Sequence, residues 1–213
     1  MFRRLFLMST AVVLCTLSAA RAQSDPEQSQ HNEAWGYRGK LLIVPSLIGG
    51  IVVGKTADNF TSIKDKALYG AGIALEHYVH PKVAVALKFD VVWKNMSQFD
   101  ENAIRTFDYA AYSLFRTAPY SRQSAFFRLE GGISTTSVSY GPDLKQNLGT
   151  HGYLRLGFGL YSQYTSAAGI SNSRVEIYYR ITKSEGSRDY YIPHWRSFNA
   201  AAVGIELAVG VPL

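Results

Sequence analysis

The chain has 213 residues, a formal net charge of +6, and 47% hydrophobic and 13% aromatic residues. This length fits one domain, and the weak positive charge excludes the strongly basic surface that binds nucleic acid, so no nucleic-acid partner is expected. The 14 Tyr and 11 Phe favour strands, and 7 Pro against 18 Gly favours a chain of strands and turns.

Residues 1–22 have the pattern of an export signal. Two arginines precede an apolar stretch over residues 5–17, and residues 20–22 (Ala-Arg-Ala) fit a cleavage motif. Without the three arginines of this segment, 22 basic residues become 19 against 16 acidic ones, a net charge of +3. Cys15, the single cysteine, leaves with the signal peptide, so the exported protein is stabilised by something other than disulfides. No later apolar run is long enough to predict a membrane-spanning helix.

The mature chain divides into a tail and one folded domain. Residues 23–36 are polar and aperiodic, which predicts a flexible N-terminal tail. In residues 37–213 apolar residues recur with period two, the period of a strand, and no helical periodicity competes. We therefore predict an all-β domain of eight strands, at residues 39–53, 67–79, 82–94, 105–117, 124–140, 150–164, 173–183 and 195–213.

The segment 82–94 shows the pattern most clearly. Every second residue from Val83 to Trp93 is large and apolar, and the alternate positions are mostly small or charged. About 9–11 residues of such a strand cross a bilayer when tilted. Polar connections follow strands one, three, five and seven, at residues 55–66, 95–104, 141–149 and 184–194. They are mostly longer than the connections after strands two and four. The connection after strand six (165–172) is an exception, because it is longer than those after strands two and four. This spacing predicts an antiparallel up-and-down meander that closes into an eight-stranded barrel.

Periodicity alone leaves open which face of the barrel is inside. A soluble lipid-binding barrel puts its apolar face inward, and a transmembrane barrel puts it toward lipid. The opposite face in strands two, six and eight is rich in Gly and Ala, which suits the narrow interior of an eight-stranded barrel better than a solvent surface. The same face carries charges of both signs, which must pair if they are buried. We predict a transmembrane barrel with a lumenal charge network of Glu76, Lys88, Asp90, Arg128, Glu130, Arg155, Glu176, Arg180 and Glu206.

Aromatic residues are predicted to form two girdles at the bilayer interfaces. The first, near the longer connections, comprises Trp93, Phe99, Phe107, Tyr140, Tyr190, Tyr191 and Trp195. The second, at the opposite strand ends, comprises Tyr78, Tyr120, Phe126, Tyr161 and Tyr164.

These features together resemble the small eight-stranded outer-membrane β-barrels of the OmpA/OmpX type. The resemblance rests on the export signal, the strand around residues 69–73 (Tyr-Gly-Ala-Gly-Ile), the short turn into residues 83–85 (Val-Ala-Val) and the apolar alternation that ends the chain. It implies location in the outer membrane of a Gram-negative bacterium, with both termini in the periplasm. The implied partners are outer-membrane lipid and lipopolysaccharide, the outer-membrane assembly machinery and an extracellular ligand bound through the loops.

The sequence predicts no catalytic, cofactor-binding or metal site. The five histidines lack ligand spacing, and none lies two residues before a serine, the arrangement of outer-membrane lipid A deacylases. We interpret them as loop or turn residues, although a spatial set such as His151 with Ser139 or Ser184 stays open. The predicted function is structural or surface-interactive, without an open pore. The alternatives are a lipid A-modifying enzyme and a soluble periplasmic lipid-binding barrel.

Overall fold

The protein is a closed antiparallel β-barrel. A computed structural model describes residues 41–53, 66–96, 102–119, 121–140, 144–166, 169–183 and 200–213. Each strand pairs with the next along the chain, and β1 also pairs with β8, which closes the sheet. The strands are β1 (Leu41–Val53), β2 (Ala67–His80), β3 (Val83–Met96), β4 (Asn102–Arg116), β5 (Gln123–Tyr140), β6 (Leu144–Ser166), β7 (Gly169–Lys183) and β8 (Ala200–Pro212).

The alternation seen in the sequence becomes an outside and an inside. Leu87 is 68% exposed on the outer face, whereas the next residue, Lys88, is 5% exposed in the lumen. The same contrast recurs in other strands, with the large aliphatic and aromatic side chains outside and the charged ones buried. A soluble protein would bury the first set, because apolar surface is driven out of water. No helix in the described parts of the chain is long and apolar enough to cross a membrane.

The two ends of the barrel differ. The connections of residues 81–82, 117–122 and 167–168 lie at the end where β1 begins and β8 ends, which we call the short-turn end. The connections of residues 97–101, 141–143, 54–66 and 184–199 lie at the other end, which we call the long-connection end. The predicted signal peptide and the tail of residues 23–36 fall outside the described residues.

Two predicted connections are wrong in extent. The predicted loop 141–149 is mostly strand, because β6 starts at Leu144 and pairs with β5 through a bulge opposite Thr136 and Ser137. Gly149 occupies that bulge with φ of +93°, a conformation that favours glycine, and its N–H donates to Asn147 Oδ1 at 2.8 Å. The predicted long turn 165–172 shrinks to residues 167–168, because residues 165–166 pair with residues 169–170 and the pairing of β6 with β7 continues through residue 172.

Two adjacent glycines in β1, Gly49 and Gly50, are of the kind that often marks a bend or bulge in a strand. Instead the register with β2 and β8 is continuous through Gly49 and Gly50. Gly50 lies against Gly204 and the Tyr178 hydroxyl group, where a Cβ atom would be crowded. The glycine therefore makes room for a lumenal tyrosine.

Candidate lumenal charge network

A layer of seven buried charged side chains crosses the middle of the lumen. Its members come from β3, β5, β6, β7 and β8. Each points inward because the residues next to it in its strand face lipid. No member is more than 5% exposed. We call this set the central network: Lys88 and Asp90 (β3), Arg128 and Glu130 (β5), Arg155 (β6), Glu176 (β7) and Glu206 (β8).

Glu206 is the hub of the central network. Its Oε2 accepts from Lys88 Nζ at 2.8 Å and from Arg128 Nη2 at 2.8 Å, and its Oε1 accepts from Arg128 Nη1 at 3.1 Å. Arg155 also pairs with this carboxylate. Three cations therefore share one carboxylate. The hydrogen bonds between them are charge-assisted, which is the strongest type in proteins. The network connects strands on opposite sides of the lumen.

The remaining acids complete the layer. Arg128 Nη2 and Arg155 Nη2 donate to Glu176 Oε1 at 2.7 and 3.1 Å. Lys88 Nζ is 2.9 Å from Asp90 Oδ2 and 3.9 Å from Glu130 Oε2. Since a buried charge is tolerated only with partners, the mutual pairing explains how so many charges fit inside a narrow barrel.

Two further ion pairs flank the central network. Toward the short-turn end, Arg174 Nη1 donates to Glu76 Oε2 at 2.7 Å, and Tyr112 Oη donates to the same oxygen at 2.7 Å. Toward the long-connection end, Arg180 pairs with Asp108 through two nitrogens, the fork geometry that arginine makes with a carboxylate. The described residues thus form ion pairs at three levels of the lumen.

Tyrosine rings fill the space between these charges. Arg155 lies over the Tyr178 ring with its guanidinium carbon 3.8 Å from the centroid, and Arg180 lies over the Tyr153 ring at 4.1 Å. Tyr153 Oη also donates to Glu130 Oε1 at 2.9 Å. The ring stacking and the hydrogen bonds leave the middle of the lumen occupied by side chains.

Glycines on the inner face provide the room for this packing. A Cβ atom on Gly157 would overlap the Glu176 carboxylate, and one on Gly204 would overlap the Tyr178 phenol. Gly204 is the register partner of Tyr178 on β7. Gly157 pairs with the same tyrosine from β6, two residues from Glu176. The Gly-rich faces noted in the sequence are therefore the space occupied by charged and tyrosine side chains of adjacent strands.

All nine residues of the predicted network point into the lumen, but they do not form one cluster. Seven make up the central network, while Glu76 and Arg180 belong to the flanking pairs. Sequence reasoning left out Arg174 and Asp108, the partners of those two residues. Both occupy inward positions of the period-two pattern, so the sequence could have identified them as lumenal. Their ion-pair partners lie on other strands and could be identified only from the folded barrel.

An apolar cluster fills the short-turn end of the lumen, and the girdle prediction is wrong for three of its five residues there. Tyr164 is 44% exposed on the outer face, as predicted, and Tyr120 lies outside the described residues. Tyr78, Phe126 and Tyr161 point inward and are at most 2% exposed, because they share the inward parity of their strands. Tyr78 Oη donates to Tyr161 Oη at 3.0 Å. They pack with Leu42 and Leu114 in one cluster. At the other end Trp93 does lie on the outer face, where its ring stacks on Tyr69 at 6.1 Å.

His151 lies in β6 and is 5% exposed, so its interpretation as a loop residue is wrong. Its register partner on β5 is Ser134, and both face the lumen. Ser134 Oγ accepts from Arg180 Nη2 at 3.1 Å. Among the described residues, no group of three or more His, Cys, Asp and Glu could hold a metal ion.

Comparisons with known proteins support the fold without assigning a family. No protein-family model matches, and no curated protein matches in sequence. The crystal structure of Neisserial surface protein A is similar with a TM-score of 0.59, at 9% identity over 81% of this chain and 97% of that one. The attachment invasion locus protein of Yersinia pestis gives 0.49, at 14% identity over 83% and 99%, and the N-terminal barrel of Pseudomonas aeruginosa OprF gives 0.42, at 12% over 83% and 100%.

The fold and the distribution of polarity together settle what kind of barrel this is. An apolar outer face around a charged lumen is the arrangement of outer-membrane barrels and the reverse of a soluble lipid-binding barrel. The predicted eight-stranded fold and the resemblance to small outer-membrane barrels are confirmed. The soluble periplasmic barrel is wrong, because its ligand cavity would need the apolar side chains inside.

Proposed function

We propose that this protein has a structural or surface-interaction role in the outer membrane, exercised through its outer connections and not through its lumen. The observation that carries the proposal is the central network. It joins opposite walls of the barrel through Glu206, and tyrosines pack above and below it. Charges that satisfy one another in this way serve to hold the barrel walls together, and they leave little space for a permeating solute.

The orientation follows the rule of outer-membrane barrels, whose short turns face the periplasm and whose longer loops face the exterior. The short-turn end, where β1 begins, is then periplasmic, and the long-connection end is external. Under this proposal the connections at the external end, the longest being residues 54–66 and 184–199, meet extracellular ligands. The lipid-facing belt meets lipid and lipopolysaccharide, and the assembly machinery inserts the barrel.

The proposal includes no enzymatic activity and no open pore. A lipid A-modifying enzyme needs its reactive groups where acyl chains reach them, on or near the lipid face. His151 instead faces the lumen beside Ser134, which is held by Arg180. Of the serines considered as its partners, Ser139 lies five residues beyond Ser134 in β5, and Ser184 lies outside the described residues. No observation on the described residues favours the enzyme.

The first test concerns the outer connections. Residues 184–199, and separately residues 54–66, are replaced by short Gly-Asn turns in cells that express the protein. Heat-shifted mobility on gels verifies that each variant still forms the barrel in membrane fractions. Loss of adhesion, of binding to extracellular matrix or of resistance to detergent, with the barrel intact, supports the proposal. Unchanged behaviour in all three assays for both variants refutes a role of these connections.

The second test separates the alternatives. The purified protein in planar bilayers is expected to show no stable large openings, and lipid A mass spectra are expected to be the same with and without the protein. Steady conductance would refute the closed lumen. A mass change equal to an acyl chain, present with the parent protein alone, would establish the enzyme instead.

A further inference from the structure

We propose that the short-turn end of the lumen holds a binding site for a single oxyanion, a carboxylate or a phosphate, centred on Arg116. Arg116 ends β4, and its guanidinium turns into the lumen over the Tyr161 ring, at 4.1 Å from the centroid. Ser124, Gln163 and Asn172 continue the same inward row across β5, β6 and β7. We call these four residues the Arg116 row.

Arg116 differs from the other arginines of the lumen in its partners. Arg128, Arg155, Arg174 and Arg180 each pair with at least one carboxylate. Arg116 is 4% exposed, yet in the described part of the chain it meets neutral acceptors alone, all at long range. Its contacts are to Ser124 Oγ at 3.3 Å, to the Ser121 carbonyl at 3.4 Å and to Gln163 Oε1 at 3.5 Å. A buried guanidinium without a counter-charge is costly, so this one calls for an anion.

The neighbouring groups also lack partners. Asn172 is the register partner of Gln163 and is fully buried, and among the described residues neither its Nδ2 nor its Oδ1 has a hydrogen-bond partner. Arg174, two positions further along the same face, binds Glu76 through Nη1, whereas its Nε and Nη2 meet no partner in the same part of the chain. Buried polar groups are nearly always satisfied, and a bound ion or water is a common reason for such exceptions. The free N–H groups of Asn172 and Arg174, on the strand that pairs with Gln163, would complete the coordination of an oxyanion.

The charges of this end favour an anion as well. In the described residues beyond Glu76, toward the short turns, the charged side chains of β4, β5 and the turns are Arg116, Lys82 and Arg122, with no acid among them. Arg116 and Gln163 lie two residues nearer this end than Leu114 and Tyr161 of the apolar cluster, and they keep exposed fractions of 4% and 8%, so the row lies on the outer side of that cluster. The oxyanion therefore comes from solution, or from the acidic residues of the chain's own tail, which precedes Leu41 at the same end. The tail acids are Asp25, Glu27 and Glu33.

The test measures stabilisation by inorganic phosphate, using protein purified in detergent from bacterial membranes. A ligand that binds the folded state alone raises the unfolding midpoint with a saturable dependence on its concentration. Four proteins are compared: the parent, Arg116→Gln, the tail variant Asp25→Asn/Glu27→Gln/Glu33→Gln, and the control Arg122→Gln. Arg122 is an exposed arginine of the same turn, so the control makes the same charge change outside the row. Heat-shifted mobility verifies folding, and Arg116→Lys replaces Arg116→Gln if the latter does not fold.

The outcomes separate the two sources of the anion. If phosphate binds from solution, the parent and Arg122→Gln are stabilised alike, and Arg116→Gln binds phosphate about tenfold more weakly or not at all. If a tail carboxylate fills the site, the parent does not respond to phosphate, whereas the tail variant has a lower midpoint that phosphate restores. Absence of a saturable phosphate response in both the parent and the tail variant overturns the proposal. A response that Arg116→Gln and Arg122→Gln weaken equally also overturns it.

Discussion

Replacing Leu87 by Arg tests the assignment of the apolar face to lipid. Leu87 is 68% exposed on the outside of β3, between Leu75 of β2 and Ala111 of β4. It lies four residues after Val83, the first residue of the strand. At a rise of about 3.4 Å per residue and a tilt near 45°, this places Leu87 roughly 10 Å above the short-turn interface, near the middle of an apolar band about 25 Å tall.

An arginine at this depth costs about 2–4 kcal/mol of folding free energy in the membrane, whereas one near an interface costs about 0–1 kcal/mol. The folding equilibrium of Leu87→Arg should therefore fall by roughly 30- to 1,000-fold. Val83→Arg is the matched control, because Val83 faces outward on the same strand at the interface. The same substitution at two depths separates the effect of the bilayer from the effect of the strand.

The assay is urea unfolding of the protein in lipid vesicles, followed by tryptophan fluorescence and by the folded band on unheated gels. We expect a clearly lower midpoint for Leu87→Arg and little change for Val83→Arg. If the two variants and the parent unfold at the same urea concentration, then Leu87 does not face lipid and the assignment of inside and outside is wrong.

Three further substitutions probe the lumen by the same unfolding assay. Glu206→Gln removes the carboxylate that Lys88 and two arginines share and should cost about 3–5 kcal/mol; a neutral result would mean that the central network does not stabilise the barrel. Gly157→Val should cost about 1–3 kcal/mol because its side chain overlaps the Glu176 carboxylate, while Gly49→Ala, with nothing within 4 Å of its Cβ, should be near neutral; equal effects would contradict the space argument. Tyr112→Phe removes the donor to Glu76 and should cost about 1.5–3 kcal/mol, and an unchanged midpoint would mean that this bond is not formed.

Much of the fold could be predicted from the sequence because a transmembrane barrel is governed by a local rule. Alternation with period two assigns each residue of a strand to one of two faces, and the Gly-rich face of β6 and β8 could only suit a narrow interior. This reasoning placed Leu87 outside and Glu206 inside. It also identified all eight strands, with most boundaries within a few residues of those observed.

Aromatic composition is a weaker guide than position along the strand. Aromatic residues near strand ends predict an interfacial girdle, yet Tyr78 and Tyr161 occupy inward positions of the period-two pattern and face the lumen. The polar segment 141–149 predicts a loop, whereas Gly149, with a positive φ inside a bulge, lets β6 extend back to Leu144.

The sequence by itself therefore determined which side chains face lipid and which face the lumen, since that choice repeats every second residue along one strand. Only the tertiary structure decided which charges meet. Glu206 shares its carboxylate with residues that are 51 to 118 positions away in the chain. Those contacts form only because β1 pairs with β8 and because each strand keeps its register with the next. The neutral surroundings of Arg116 in the described part of the chain likewise follow from the packing of β4 against β5 and β6, which no local pattern contains.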